Sequence, residues 1–200
     1  MIDKNSNSRE RIIQASIKLF ARKGYEGTKV KEIAKEAEIS QALIYYNFKS
    51  KEEIFSEILE RAKTIVQSIL IKVYSRPQTE TRKWTVKENV VAFSMIDEQI
   101  DLITILLLES LKVQGNRRIP LEILNEVNNA TRIALLQQRG IEVDRSDIAK
   151  KFTDIFFLCF PTMLIAIFGE EWCRMNNVNK EEMCGIYTKL MNLFFEKYTQ

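Results

Sequence analysis

Between Ser8 and Phe55 the chain turns three times, and every stretch between the turns carries apolar residues at helical spacing. Ser8 can cap a first helix, in which Ile12, Ile13, Ser16, Ile17, Leu19 and Phe20 recur every three or four residues until Gly24 stops the run. Thr28 can cap a second helix through Ile33, Ala34 and Ala37. Glu38-Ile39 makes a short turn. Ser40 then caps a third helix of about two turns, with Leu43, Ile44 and Phe48 on its inner side. Ser50-Lys51-Glu52-Glu53 is a capping-box pattern, and it opens a long fourth helix through Ile54, Phe55, Ile58, Leu59, Ile65, Ile69 and Val73 to about Tyr74. Two short helices on a tight turn, with a helix on either side, constitute a helix–turn–helix.

The rest of the chain repeats the same period without such punctuation. Arg76-Pro77-Gln78-Thr79 is the first break after the fourth helix. Helices are expected over 86–96 and 102–113, followed by a basic loop from Gly115 to Pro120. A helix from about Leu121 to Arg139 ends at Gly140. Another runs from Ser146 to about Phe168, with a bend near Pro161. The last begins after Asn179, a good cap with Glu182 at the capping-box position, and continues through Ile186, Leu190, Leu193 and Phe194. Six Gly and three Pro are too few for the turns of an all-β fold. The expected fold class is all-α, with about nine helices. An N-terminal three-helix helix–turn–helix domain (1–50) precedes a C-terminal helical bundle (51–200).

The net charge of +3 hides an uneven distribution. Residues 1–51 carry eleven Lys/Arg against six Asp/Glu, whereas 52–200 carry nineteen against twenty-one. A basic head on a near-neutral body points to a polyanion at the head, against the plainer reading of a solvated basic face. The chain has no histidine, which excludes His-ligated metal sites and Ser–His or Cys–His catalysis. Cys159, Cys173 and Cys184 lack metal-ligand spacing, and no Gly-rich phosphate loop is present. The expectation is no enzyme, no cofactor and no metal. With no secretory signal in view, the thiols are expected to be reduced and the protein cytoplasmic. The longest apolar run, Ile155 to Phe168, is too short to span a bilayer, so no membrane partner is expected.

In a helix–turn–helix the second short helix enters the major groove and the first crosses the backbone. Here the reading helix is Ser40–Asn47, with Gln41, Ala42, Tyr45 and Tyr46 outward. Gln41 can donate and accept at adenine, and Ala42 can pack on a thymine methyl. Tyr45, Tyr46, Lys49 and Lys51 can reach phosphates. Thr28 and Lys29 open the preceding helix, where free N–H groups and the positive dipole end also suit phosphate. Each residue alone has a plainer reading. Either tyrosine can pack on the fourth helix, Gln41 can be a surface amide, and the lysines can be solvated charges.

The whole block resembles the TetR family of transcriptional regulators. The resemblance runs through Arg9-Glu10-Arg11-Ile12-Ile13-Gln14-Ala15, Leu19-Phe20, Gly24-Tyr25, Thr28, Ile33-Ala34, Ala37, Ser40, Ile44-Tyr45-Tyr46-Asn47-Phe48 and Lys49-Ser50-Lys51-Glu52-Glu53-Ile54-Phe55. It covers about the first quarter of the chain. It implies an all-α homodimer with an N-terminal DNA-binding domain and a C-terminal domain for dimerisation and ligand binding. The DNA contacts it carries over are Thr28, Gln41, Ala42, Leu43, Tyr45, Tyr46, Asn47 and Lys51. Tyr45 and Lys51 match its most regular phosphate-binding positions. Three positions depart from it. Glu38 replaces the usual turn Gly, so a residue with a Cβ has to take a strained backbone. Asn47 replaces the usual His, and Ala42-Leu43 replaces a common Gly-Thr pair, so base readout is particular to this chain.

The remaining residues carry no specific motif. Phe156, Phe160, Met163 and Ile167 form one helical stripe, and Phe152, Ile155, Cys159, Thr162 and Ala166 form another beside it. A helix apolar nearly all round is buried by core, by partner subunit or by ligand. Trp84 and Trp172 read as packing residues. Glu109 stands alone after Leu106-Leu107-Leu108. It is either a salt bridge to a neighbouring helix or the anchor of a ligand. Phe93, Ile96, Leu106, Phe156, Phe160 and Met163 can line a pocket around it, for a small apolar or amphipathic molecule. The leading expectation is a repressor of double-stranded DNA, released from a palindromic operator by such an effector. The alternative is a helical protein- or membrane-interaction module with no operator.

Overall fold

The computed structural model describes residues 4–74, 83, 85–112, 119–138, 140, 142 and 147–198. Among them every element is helical, as the spacing predicts: α1 (Lys4–Gly27), α2 (Val30–Glu36), α3 (Gln41–Asn47), α4 (Lys51–Tyr74), α5 (Val86–Asp97), α6 (Ile100–Ser110), α7 (Ile119–Gln137), α8 (Ile148–Thr153), α9 (Phe160–Asn176) and α10 (Lys180–Tyr198). A π-helical stretch, Asp154–Cys159, runs α8 into α9. The break expected at 76–79, residues 115–118 of the loop expected from Gly115 to Pro120, the helix end at Arg139, the start at Ser146 and Trp84 lie outside the described residues; Ile119 and Pro120 of that loop instead open α7.

The helices fall into two compact units, each discontinuous in sequence. The first holds residues 1–66 and 101–124, the second 67–100 and 125–200. In the first unit Ile12, Ile13, Phe20, Ile33, Ile44, Phe48, Ile54 and Ile58 are almost completely buried. These are the inward positions of four successive amphipathic helices, and each such side chain contributes about 1.5–3 kcal/mol on burial. Phe20, Tyr25 and Phe55 add a ring cluster with centroids 4.7–5.9 Å apart. In the second unit Phe93, Cys173, Met183, Cys184, Tyr187 and Met191 form the core. The buried amide of Asn89 donates to Thr188 Oγ1 at 2.7 Å beside it.

The local chemistry of the helix ends explains most boundaries and corrects several. Ser8 is not a cap: α1 begins earlier, and Ser8 is buried within it. Gly24, at φ 71°, breaks the helical backbone where the sequence requires it. Thr28 is not the cap of α2 either; that position is Lys29, whose N–H donates to the Glu32 carboxylate at 2.9 Å. Ser40 does cap α3, its hydroxyl accepting from Leu43 N–H at 3.2 Å. Asn179 caps α10 through Glu182 N–H at 2.8 Å.

The helix expected to end near Phe168 continues to Asn176 and closes on Asn177 in the left-handed conformation, φ 54°. Pro161 does not end it, because the π-helical register precedes the proline: Phe160 N–H donates to Ile155 C=O, five residues back. The wider turn takes up the missing proline donor and the bulk of its ring. The apolar run 155–168 is therefore part of a 29-residue helix, Ile148–Asn176, with a mean hydropathy of 1.9 over its most apolar window. By length and composition alone that helix is enough to cross a membrane, which corrects the reading of the run as too short.

Candidate nucleic-acid interface

The turn between α2 and α3 is held by α1. Glu38 adopts φ 52°, the left-handed backbone that a Gly would enter more cheaply. Arg11 braces it, donating to the Glu38 carbonyl at 3.2 Å and pairing with its carboxylate at 3.4 Å. Arg9 holds the far end of α3. Its guanidinium donates to the Asn47 carbonyl at 2.7 Å, lies 4.0 Å from the centre of the Phe48 ring, and pairs with Glu57. Both arginines lie in the motif, yet sequence reasoning gives them no role. Only the folded contacts do, because each acts on a residue far away in sequence.

This bracing leaves one face of α3 open. Tyr45 is 55% exposed and Tyr46 73%, while Ile44 and Phe48 between and beyond them are buried. Neither tyrosine packs in the core. Gln41, Ala42 and Lys49 are exposed, and Leu43 is half-buried. Asn47 is half-buried and turned inward: its amide donates to Leu43 C=O at 2.8 Å.

Around this face the expected phosphate contacts divide. The Thr28 hydroxyl is buried and donates to Gly24 C=O at 2.9 Å, while its N–H donates to Tyr25 C=O at 3.3 Å. Those groups tie the loop between α1 and α2 together. Lys29 is exposed, and so is Lys31, which the sequence does not single out although it stands in the first turn of α2. Lys51 is half-buried. Its ammonium donates to Tyr25 C=O at 2.9 Å and Thr28 C=O at 3.0 Å and lies over the Tyr25 ring. An ammonium has three donors, so Lys51 fastens α4 to that loop and retains one for a phosphate.

The expected ligand-lining residues do not share one unit. Leu106 and Glu109 belong to the first; Phe93, Ile96, Phe156, Phe160 and Met163 belong to the second. Glu109 is 2% exposed: its Oε1 accepts from Tyr25 N–H at 3.0 Å and pairs with Lys112, while its Oε2 has no hydrogen-bond partner among the described residues. In the second unit Phe93, Ile96 and Met163 are buried, Phe160 is half-buried and Phe156 is 48% exposed. A shallow groove of about 350 Å³ lies elsewhere in that unit, between Val86 and the Thr188, Lys189 and Asn192 side of α10. Among the described residues no group of three or more His, Cys, Asp or Glu is placed to hold a metal.

Residues 12–58 match the model for the bacterial regulatory proteins of the tetR family. The HTH-type transcriptional regulator YerO of Bacillus subtilis (strain 168) is 31% identical over 147 residues, 70% of this chain and 50% of its own length. The biofilm operon icaADBC negative transcriptional regulator IcaR of Staphylococcus epidermidis is 40% identical over 52 residues, 26% of this chain and 28% of its own. The chain thus spans about half or less of the curated relatives it matches. Among solved structures, Salmonella enterica GusR superposes with a TM-score of 0.63 at 18% identity, covering 96% of both chains. A transcriptional regulator from Aquifex aeolicus VF5 gives 0.55 at 22% identity, covering 92% of this chain and 99% of its own. These two show a shared fold.

Proposed function

Through residues 12–58 the chain belongs to the tetR family of bacterial regulatory proteins, and we propose that it is a DNA-binding transcriptional repressor, released from a palindromic operator by a small organic effector. The observation that carries this reading is the open face of α3. Two exposed tyrosines and an exposed Gln41 stand on a short helix whose other side is fixed by Ile44 and Phe48. In the major groove Gln41 addresses an adenine edge and Ala42 a thymine methyl. Tyr45, Tyr46, Lys29, Lys31, Lys49 and the remaining donor of Lys51 meet phosphates. Leu43 supplies apolar contact. Asn47 and Thr28 hold the frame that presents these groups, Asn47 through its Leu43 bond and Thr28 through its Gly24 bond.

A palindromic site needs a two-fold partner, and the C-terminal helices supply a surface for it. Phe168, Trp172 and Met175 on α9, with Ile186, Leu190 and Leu193 on α10, are exposed in the single chain. Their burial in a homodimer is the reading we adopt. The long apolar helix also supports a second reading, association with a lipid surface, because only 22% of its apolar window is buried. Sedimentation at micromolar concentration and flotation with anionic vesicles separate the two. A dimer that stays out of the vesicle fraction supports the regulator.

Coupling to an effector has a physical handle inside the first unit. Glu109 at the end of α6 bonds the backbone of Tyr25, directly after the Gly24 break and beside the carbonyls that Lys51 holds. A shift of α6 therefore pulls on the loop that positions α2. An effector acts only if it favours one placement of α6 over another. Selection of bound fragments from source-genome DNA, followed by mobility shifts with the recovered site, tests the proposal. Recovery of one palindromic site supports it, and sequence-indifferent binding contradicts it.

A further inference from the structure

The second unit contains a buried cation that its surroundings do not satisfy. On α7 the buried side chains change character along the helix: Ile123, Leu124 and Val127 give way to Asn128, Thr131 and Arg132. Arg132 is 4% exposed. Its facing acid is Asp154, 1% exposed, the residue that opens the π-helical stretch. Arg132 Nε lies 3.0 Å from Asp154 Oδ2. The pair is close but misaligned: among the described residues Nε and Nη2 of Arg132 and Oδ2 of Asp154 all lack a hydrogen bond. Asp154 is shared besides, since Lys150 Nζ donates to its other oxygen at 2.8 Å.

This is an unusual arrangement for a purely structural ion pair. A buried guanidinium costs several kcal/mol of lost hydration, and only good alignment offsets that cost. Here proximity is present and alignment is not. The two unfilled donors, Nε and Nη2, lie on one edge of the guanidinium, spaced like the two oxygens of a carboxylate. Along the same stretch Cys159 is half-buried, and burial, then the charge of Asp154, push its thiol up to about 12. Met163, whose thioether lies 3.8 Å from Cys159 Sγ, and Ile155 are buried in the same stretch of helix. A π-helical turn at such a place is a common mark of a functional position.

We propose that Arg132 anchors the carboxylate of an amphipathic organic acid bound in the second unit. This inference rests on the effector reading above and replaces Glu109 with Arg132 as the polar anchor. The acid's oxygens accept from Nη2 and Nε, its alkyl portion lies along the apolar side chains of the π-helical region, and Asp154 stays with Lys150.

The test uses the full-length protein and three eight-carbon probes: octanoate, octan-1-ol and octylamine. Titration calorimetry should give octanoate an affinity at least about tenfold above the alcohol, as a charge-assisted bidentate contact requires. Octylamine should bind more weakly than either. Arg132→Gln should bring octanoate down to the level of the alcohol, and Arg132→Lys should fall between. Asp154→Asn keeps Arg132 and removes its competitor, so it should raise the preference for octanoate. Equal affinity for acid and alcohol in the unmutated protein overturns the anchor without any variant having to fold. Release of operator DNA by octanol or octylamine but not by octanoate also overturns it, while leaving the effector reading in place. If none of the three binds, the anchor is overturned; if octanoate binds but leaves operator affinity unchanged, the anchor stands and the effector reading falls.

Discussion

The two ends of this chain are built in opposite senses. In the N-terminal helices apolar side chains point inward, and the exposed face carries tyrosines, an amide and lysines. In the C-terminal helices large apolar side chains such as Phe168, Trp172, Leu190 and Leu193 are exposed, while Arg132 and Asp154 are buried. The first pattern is that of a surface made for a strongly hydrated, charged partner. The second leaves apolar side chains exposed in the single chain around an interior that holds a buried ion pair, the pattern from which the homodimer is proposed. On the proposed reading one end is finished as a monomer, and the other is not.

The largest effect should come from the unfinished end. Leu190→Glu combined with Leu193→Glu should yield a helical monomer, and operator affinity should fall at least about a hundredfold because one half-site contact is lost from each complex. Analytical ultracentrifugation and a mobility shift read both quantities. A variant that stays dimeric breaks the comparison, because the exposed apolar face would then need another explanation. Next in size is a change confined to the finished end. Ile44→Ala should cost about 2–5 kcal/mol, the usual range for truncating a fully buried side chain. Denaturant unfolding followed separately by Trp172 fluorescence in a Trp84→Phe background, which reports the second unit, should leave that signal nearly unmoved. Coincident loss of both would make the two ends one cooperative body.

A smaller, opposite effect is expected at the turn. Glu38→Gly relieves a left-handed backbone at a non-Gly residue and should stabilise the protein by up to about 1 kcal/mol, reduced by the loss of the Arg11 pair. Thermal unfolding measures it; a lower melting temperature would mean that Arg11 holds the turn mainly through the carboxylate. The smallest effect is in acid. The Arg61 hydrogen bond holds the Glu10 carboxyl below the usual carboxylate range, and the Tyr25 hydroxyl does the same for Glu52. Both pKa values are lower folded than unfolded. Their stabilisation is therefore present above about pH 4.5 and is lost as the pH falls through the folded values. Glu10→Gln should make that part of the acid transition shallower.

How much was legible from sequence follows the same division. The short helices of the head were readable because Gly24, Ser40 and Ser50 mark their ends and Ile33, Ile44 and Phe48 mark their inner face. Glu38 was readable as strained because it stands where the family that the block resembles usually has Gly, and it does take φ 52°. What Thr28, Asn47 and Lys51 bond to was not readable. A hydroxyl, an amide and an ammonium serve a phosphate or a carbonyl equally well, and only folding decides which carbonyls come near. In the C-terminal half, periodicity gave the helices but not their continuity: a proline inside an apolar run reads as a bend, and the π-helical register that carries it leaves no sequence mark. Glu109 drew attention as an acid in an apolar helix, although its partner is Tyr25 backbone, eighty-four residues away. Arg132 drew none, since a basic residue midway along a mixed helix looks solvated until its neighbours are placed.

The central claim is that α3 reads DNA through its exposed face. It is tested most directly by the base preference of Gln41→Ala at two salt concentrations, measured on a randomised version of the selected operator. The account predicts that preference relaxes at one base pair in each half-site, by about 1–3 kcal/mol, while the salt dependence stays that of the unmutated protein. An unchanged preference at every position, or a uniform loss across all sequences, would contradict it.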